Sequence, residues 1–222
     1  VPKFKTGKFK AKVLNSNIKF DFNIDKNSLN ISNSFFRNKY LSFETTGKIN
    51  LIPFLNIDLI STVKELNKEI LYKINIRKLL NNKDFLKRLN TNQEINFSSK
   101  RFSRNIINKI NAKFSINYGR LVSTKTIFFD QAETTCVSEM NLIEDYPILI
   151  FNCAISANNK KKFLRNFSID IKETNKPLNL KIVGNLNLYQ NKINFLDIKL
   201  NKSYQASDVD LKFFKDSFEN IL

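Results

Sequence analysis

Residues 18–25 read Ile18-Lys19-Phe20-Asp21-Phe22-Asn23-Ile24-Asp25, with an apolar side chain at every even position and a polar one at every odd position. Successive side chains of a β-strand point to opposite faces, so this pattern indicates a strand with one apolar and one solvated face. The same alternation recurs with Leu41, Phe43, Ile49 and Leu51, and again with Leu180, Ile182, Leu186 and Leu188. Alternation of this kind is typical of antiparallel sheet. The sequence therefore predicts a mainly β fold built on a long antiparallel sheet.

Two segments depart from this period and predict helices. Residues 75–89 place Ile76, Leu79, Leu80, Leu86 and Leu89 near helical spacing, with Lys and Arg between them. Near the end of the chain, Ser207 is followed three residues later by Asp210, which resembles an N-cap signal. An apolar stripe follows it, formed by Leu211, Phe214, Phe218 and Ile221. We expect one internal helix and one C-terminal helix, both packed against the sheet.

These patterns divide the chain into four consecutive segments of one continuous domain. We expect β-sheet over residues 1–74, a basic and partly helical insertion over 75–113, β-sheet over 114–206, and a terminal helix over 207–222. The chain of 222 residues begins with Val1 and shows no signal peptide, so we interpret it as part of a larger protein. Its apolar runs are short compared with the roughly 18 residues that a membrane-spanning helix needs.

The charge is strongly basic, with a formal net charge of +17. Such a charge draws a protein towards anionic surfaces, which include nucleic acid and lipid headgroups. Lys and Arg are concentrated in residues 75–113, where only Asp84 and Glu94 are acidic. Our candidates for contact with an anionic membrane surface are Arg77, Lys78, Lys87, Arg88, Arg101 and Arg104. The alternative interpretation is that these residues form ordinary solvated faces.

Several residue types that catalysis commonly uses are missing. The chain has no His, which removes the usual general base and the commonest metal ligand. Its four Gly residues are scattered singly, so no phosphate-binding loop can be assembled. The carboxylate pair Glu144-Asp145 falls in an expected turn. We therefore expect no enzyme, no catalytic residue, no cofactor and no metal site.

Cys136 and Cys153 flank this expected turn. The run from Thr134 to Leu142 and the run from Pro147 to Ile155 both alternate. A two-residue turn at Glu144-Asp145 would place Cys136 opposite Cys153, and Met140 opposite Leu149, on the apolar face. We expect the two cysteines to be neighbours, bridged by a disulfide in an oxidising compartment or buried as two reduced thiols.

Three phrases resemble the AsmA-like proteins of the bacterial envelope. The first is Phe43-Glu44-Thr45-Thr46-Gly47-Lys48-Ile49-Asn50-Leu51-Ile52-Pro53-Phe54, a strand that passes through a glycine and closes at a proline. The others are Asn158-Asn159-Lys160-Lys161-Lys162-Phe163-Leu164-Arg165-Asn166-Phe167 and Asp210-Leu211-Lys212-Phe213-Phe214-Lys215-Asp216-Ser217-Phe218-Glu219. The likeness covers most of the chain but depends on composition and strand pattern.

This resemblance implies a repeating β-groove, a strongly curved sheet whose concave face binds lipid. It also implies a periplasmic location, an inner-membrane anchor upstream of this chain, and a part in phospholipid transport and outer-membrane biogenesis. Phospholipid, an anionic membrane surface and other envelope proteins would be the partners. The expected groove residues are Ile18, Phe20, Phe22, Ile24, Leu41, Phe43, Ile49, Leu51, Leu149, Phe151, Leu180, Ile182, Leu186 and Leu188.

Two other classes of protein fit the same sequence. In a purely structural or adhesive β-sandwich, the apolar faces would close on each other around a dry core. In a nucleic-acid-binding β protein, the many Phe residues would stack on bases and the basic residues would contact phosphates. The position of most Phe residues on the apolar phase of their strands argues against the second class. The residues alone favour the sandwich, whereas the resemblance favours the groove.

Overall fold

A single sheet dominates the protein, whose computed structural model describes residues 5–67, 69, 80–98, 107–172, 176–201 and 203–219. Thirteen strands form this sheet. They are β1 (Lys5–Val13), β2 (Ser16–Asp25), β3 (Ser28–Arg37), β4 (Leu41–Asn50), β5 (Asn56–Leu66), β6 (Asn90–Ser98), β7 (Ile107–Asn117), β8 (Arg120–Phe129), β9 (Ala132–Asn141), β10 (Ile148–Ala157), β11 (Leu178–Asn187), β12 (Lys192–Leu200) and β13 (Tyr204–Gln205).

The strands lie in the sheet in the same order as in the chain. All neighbouring pairs are antiparallel except β5 and β6, which run parallel. The prediction of a mainly β fold with a long antiparallel sheet is therefore confirmed, since 63% of the described residues are in strands.

The expected strong curvature is not found, because the sheet is neither closed nor strongly curled. Its first and last strands, β1 and β13, each have a single neighbour, whereas closure requires the two outer strands to pair. The expected curvature came from the resemblance to the AsmA-like proteins, and the alternation in this sequence does not support it independently, because alternation fixes the face to which a side chain points and not how far the sheet bends.

Short turns join many of the strands. The turn between β1 and β2 consists of Leu14 and Asn15, and the turn between β7 and β8 of Tyr118 and Gly119. All four residues have positive φ angles, as the favoured two-residue hairpin turns require. These turns fix the register of each hairpin, and the register in turn decides which side chains share a face.

The expected insertion at 75–113 is largely part of the sheet. Of its described residues, Asn90–Ser98 form β6 and Ile107–Lys113 begin β7, and both strands are paired on both sides. A helix, α1 (Lys83–Arg88), precedes them and buries Leu86. Leu80 and Leu89 are buried as well, whereas Ile76 and Leu79 lie outside the described residues.

Two further helices follow in the C-terminal part. The short helix α2 (Lys160–Arg165) was not predicted, and the side chain of Asn159 caps it by accepting a hydrogen bond from the Lys162 amide at 2.9 Å. The predicted terminal helix is present as α3 (Asp208–Glu219). Its predicted N-cap is formed in both directions: the Ser207 amide donates to Asp210 Oδ2 at 2.9 Å, and the Asp210 amide donates to Ser207 Oγ at 3.3 Å. Ile221 lies outside the described residues.

Two small cores lie where the helices contact the sheet. The first contains Leu80, Leu86, Met140 and Leu142, and Ile116, Leu121 and Leu149 pack against it. The second contains Ala157, Phe163 and Leu178, and Phe129, Ile155 and Leu200 pack against it. The two cores therefore lie at opposite ends of strands β8–β10.

Candidate functional site

The apolar face of the sheet is continuous across its strands, because the register places apolar positions opposite each other from one pair to the next. Phe9 pairs with Phe20, and Ile18 pairs with Phe36. One row of facing residues can be followed from β2 to β12. It consists of Ile24, Leu29, Ile49, Ile57, Thr91, Ile116, Leu121 and Met140, then Leu149, Leu186 and Ile193. We call this side of the sheet the apolar face.

Twelve of the fourteen expected groove residues lie on the apolar face, within β2, β4, β10 and β11. Leu51 and Leu188 fall just beyond the ends of β4 and β11. Leu51 is exposed, whereas Leu188 packs against the core that contains Leu86. The sequence thus located one common surface, but the surface is an open face and not a strongly curved groove.

The N-terminal part of the apolar face has little protein cover. In β1–β5, Ser28 and Ser42 are the buried residues, and no hydrophobic residue of these five strands is buried. Phe9 is 43% exposed and Val13 is 52% exposed. A second sheet, which the sandwich interpretation requires, is absent from the described part of the chain, whose strands all belong to one sheet. This part of the apolar face is therefore available to a ligand.

The described helices border the C-terminal part of the apolar face. Leu86 of α1 contacts the end that contains Met140, and Phe163 of α2 packs at the other end, beside Ala157. The third helix, α3, packs on β12, where the rings of Phe195 and Phe218 meet edge to face with centroids 5.4 Å apart. Between these borders, β8–β11 retain an apolar strip that runs across the strands, whereas Ile193 and Ile198 of β12 are buried.

Aromatic rings line the apolar face in close pairs. Phe9 stacks on Phe20 with centroids 5.0 Å apart, and Phe36 stacks on Phe43 at 4.9 Å. The ring of Phe22 lies over Gly7, its partner on the neighbouring strand. A Cβ added at residue 7 would lie only 2.5 Å from Phe22 Cζ. These rings, which stack on each other or lie over a glycine, cover this part of the sheet with aromatic carbon.

Polar residues on the apolar face bind each other. Ser123 and Ser138 are both buried, and their hydroxyls are 2.7 Å apart. Ser61 donates a hydrogen bond to Thr45 Oγ1 at 2.9 Å. Because these hydroxyls are satisfied within the protein, the cost of covering them with an apolar ligand is small.

Cys136 lies directly opposite Cys153 in the register of β9 and β10, and a disulfide joins them on the apolar face. The turn between these strands is longer than the expected two residues, because β9 ends at Asn141 and β10 begins at Ile148. The register is nevertheless the expected one, since the longer loop is centred on the same two residues, Glu144 and Asp145.

The described part of the chain includes two of the six residues that were expected to contact lipid headgroups. Lys87 and Arg88 are exposed on α1, whereas Arg77, Lys78, Arg101 and Arg104 lie outside the described residues. Lys83, in the basic segment 75–113, donates a hydrogen bond to Asp145 in the turn between β9 and β10. This hydrogen bond and the charge of Lys83 lower the pKa of the Asp145 carboxyl.

Charged residues are rare on the apolar face. Of the strand residues that the register places there, Lys5 on the outer strand β1 and Lys125 on β8 are charged, and none is acidic. Lys125 stands between Ala112 and Cys136, and its side chain is exposed. The sequence analysis did not single out Lys125, because the phase of β8 becomes clear only from its pairing with β9.

A hollow of about 600 Å³ crosses β4–β8 on the opposite face of the sheet. Its lining includes Thr46, Ile60, Glu94, Lys113 and Thr124, which form one row of that face. A hydrogen bond from Asn96, together with Lys113, whose Nζ lies 3.1 Å from Glu94 Oε2, lowers the pKa of Glu94. The hollow contains the Glu94–Lys113 ion pair and lies on the face of the sheet opposite the apolar face.

No described helix has the length and hydropathy that crossing a membrane requires. Within the described ranges, no group of three or more His, Cys, Asp or Glu side chains is placed to hold a metal ion.

Comparison with known proteins places the chain in no family: no family model, no curated protein and no solved structure matches it. The geometry of the apolar face is therefore the main evidence for what the protein binds.

Proposed function

We propose that this chain binds lipid through its apolar face, as a segment of an AsmA-like protein that takes part in phospholipid transport. The observation that carries the proposal is the continuous apolar face, of which the strands β1–β5 contain no buried hydrophobic residue. Soluble proteins rarely expose contiguous apolar patches of more than a few hundred Å² unless the patch binds something.

Acyl chains suit such a surface better than a folded partner does. The apolar face has Phe rings stacked in pairs and hydroxyls that are already hydrogen-bonded, so it offers dispersion contacts and few specific polar ones. Covering the face with acyl chains would contribute about 0.8 kcal/mol for each buried CH₂ group. Exposed Lys and Arg side chains, such as Lys87 and Arg88, would attract the lipid to the protein.

The mechanism we propose is passive and involves no covalent step. Lipid would lie on the apolar face with its chains across the strands, and it could move along the rows because each row continues from one strand to the next. The expected setting is the periplasm, with an inner-membrane anchor elsewhere in the protein and envelope proteins as partners.

The arrangement of Phe and Lys favours lipid over nucleic acid. Binding of single strands needs aromatic rings and cations on the same surface. Here ten of the twelve Phe side chains in the described strands lie on the apolar face, which carries very few charges. Phe35 and Phe128 lie on the opposite face, but lysine ammonium groups already cover their rings at 5.6 and 5.7 Å from the centroids.

Native mass spectrometry of the purified chain, followed by solvent extraction and lipid analysis, tests the proposal. We expect phospholipid to co-purify in a defined ratio and to return when the stripped chain is incubated with phospholipid vesicles. A chain that stays monomeric and soluble without lipid, and takes up none from vesicles, would show that the proposal is wrong.

A further inference from the structure

We propose that Lys125 is an anion-binding residue on the apolar face, which holds the charged head of an amphiphile whose acyl chain lies across β9–β11. This inference rests on the proposed function, because it names the class of lipid that the face would prefer. The class is an acyl chain that carries a carboxylate or a phosphate.

The position of Lys125 on this face follows from pairing on both sides of β8. It stands opposite Ala112 of β7 and opposite Cys136 of β9. Ser123 and Ile127, its neighbours on the same face, pair with Ser138 and Thr134. A long, charged side chain is therefore set among apolar residues and small hydroxyls.

Among the described strand residues of this face, no anion is available to pair with the ammonium group of Lys125. No acidic residue occupies the apolar face of any described strand, and the described acidic residues that form ion pairs do so with other cations. The side chain is exposed, so the charge is hydrated in the free protein. An incoming anion would thus gain a partner without having to displace one.

Lys125 belongs to a row of residues that face each other across the strands, and the side of this row towards β12 is the side that can accommodate an acyl chain. Towards β12 it continues through Cys136, Cys153 and Ile182, none of which carries a hydroxyl, an amide or a charge, and it ends at Ile198, which is buried. Three spacings of about 4.8 Å separate β8 from β11, which gives an open track of about 14 Å. In the other direction, the row meets the hydroxyls of Ser61 and Thr45.

The surroundings of the row also distinguish its two ends. The hydrogen-bonded hydroxyls of Ser123 and Ser138 lie beside the head position. Phe151, Phe195 and Leu180 lie beside the tail, and α3 borders the track at β12 through Phe218. A polar head at Lys125 and an apolar tail directed to β12 therefore match the chemistry of the face.

Equilibrium binding measurements test this inference with three amphiphiles that share a 16-carbon chain: palmitate, hexadecyl phosphate and hexadecanol. Each amphiphile is used below its aggregation concentration. The whole chain is compared with K125M, K125R and K181M. Lys181 is the matched control, because it is exposed on the opposite face of β11. We expect at least one anion to bind about fivefold more tightly than the alcohol, the factor that about 1 kcal/mol for an exposed ion pair gives.

This preference should disappear in K125M and persist in K125R and K181M, while the affinity for hexadecanol stays the same in all four proteins. The anion whose affinity falls more in K125M identifies the head as carboxylate or phosphate. Equal binding of anions and alcohol by the unmodified chain, or a preference that survives in K125M, would overturn the inference and leave the proposed function intact. If none of the three amphiphiles binds, the proposed function fails and the inference fails with it.

Discussion

The ring of Phe151 lies over Gly184, its partner on the neighbouring strand, so closely that a Cβ at residue 184 would come within 2.7 Å of Phe151 Cζ. The same Cβ would lie 2.4 Å from the backbone oxygen of Asn194 on the other neighbouring strand. The absence of a side chain at residue 184 therefore lets the ring lie flat on the apolar face. Gly7 and Phe22 repeat this arrangement at the other side of the sheet.

Replacing Gly184 by alanine should destabilise the protein by about 1–3 kcal/mol, the usual cost of overpacking. The backbone oxygen of Asn194 cannot move without disturbing the pairing of β11 and β12. Gly7→Ala is the matched control, because its Cβ would meet only the ring of Phe22. Urea unfolding should give a larger loss for Gly184→Ala than for Gly7→Ala, and equal losses would show that the Asn194 contact does not matter.

A charge on the N-terminal part of the apolar face should block lipid loading. We predict that Phe43→Glu lowers the amount of bound phospholipid several-fold, because a carboxylate beside acyl chains would lose its hydration. Thr46→Glu is the control, since Thr46 is exposed on the opposite face of the same strand. Solvent extraction followed by lipid quantification measures the effect, and circular dichroism checks the fold.

Phe20→Glu should act in the same way, because Phe20 lies on the apolar face of β2. Variants at both positions that carry as much lipid as the unmodified chain would show that these residues do not contact it.

The contact between α1 and the sheet should depend on Leu86, which is 0% exposed. Leu86→Ala should cost about 2–5 kcal/mol, since truncation of a buried Leu leaves a cavity beside Met140 and Leu142. The neighbouring Phe85 is 45% exposed and serves as the control, with a smaller expected loss for Phe85→Ala. Thermal unfolding compares the two, and a similar loss at both positions would argue against a core at this border.

The attachment of α3 should weaken in acid. Hydrogen bonds from the Ser207 amide and hydroxyl, and then from Tyr204, lower the pKa of the Asp210 carboxyl below its usual 3.8. A lowered pKa in the folded state means that the carboxylate stabilises the helix above the ordinary pKa, and that this contribution is lost as the pH falls through 3.8 and below. Hydrogen exchange of the α3 amides should therefore accelerate, relative to the sheet, over this range.

Asp210→Asn removes the titrating group and keeps an acceptor, so the amides of its α3 should show a weaker dependence on pH than those of the unmodified chain. A pH dependence that is unchanged in Asp210→Asn would assign the acid response to another group.

The sequence was sufficient to predict the features that depend on local pattern. Alternation identified the faces of β2 and β4, and the two alternating runs around Glu144 predicted the pairing of Cys136 with Cys153. The spacing of Ser207 and Asp210 predicted the cap of α3. Each of these predictions needed information from only one or two neighbouring elements.

The features that escaped prediction depend on several elements at once. On β6, Thr91 and Gln93 occupy the apolar phase, so its alternation is weak and the strand appeared to be part of an insertion. The curvature of the sheet depends on irregularities such as the register shift between Ile31 and Phe36, which leave no clear signal in composition. Lys125 could be assigned to the apolar face only after the partners of β8 were known.

The single parallel pair, β5 and β6, has a consequence for how the chain folds. Each side of this junction, β1–β5 and β6–β13, is a series in which every strand pairs with its neighbours in sequence. Pairing of consecutive strands requires only the closure of the loop between them, so each meander can begin to form without the other. The junction differs, because the chain must return along the length of β5 before β6 can pair with it. We expect closure of this longer loop to be the step that joins two independently started halves into one sheet.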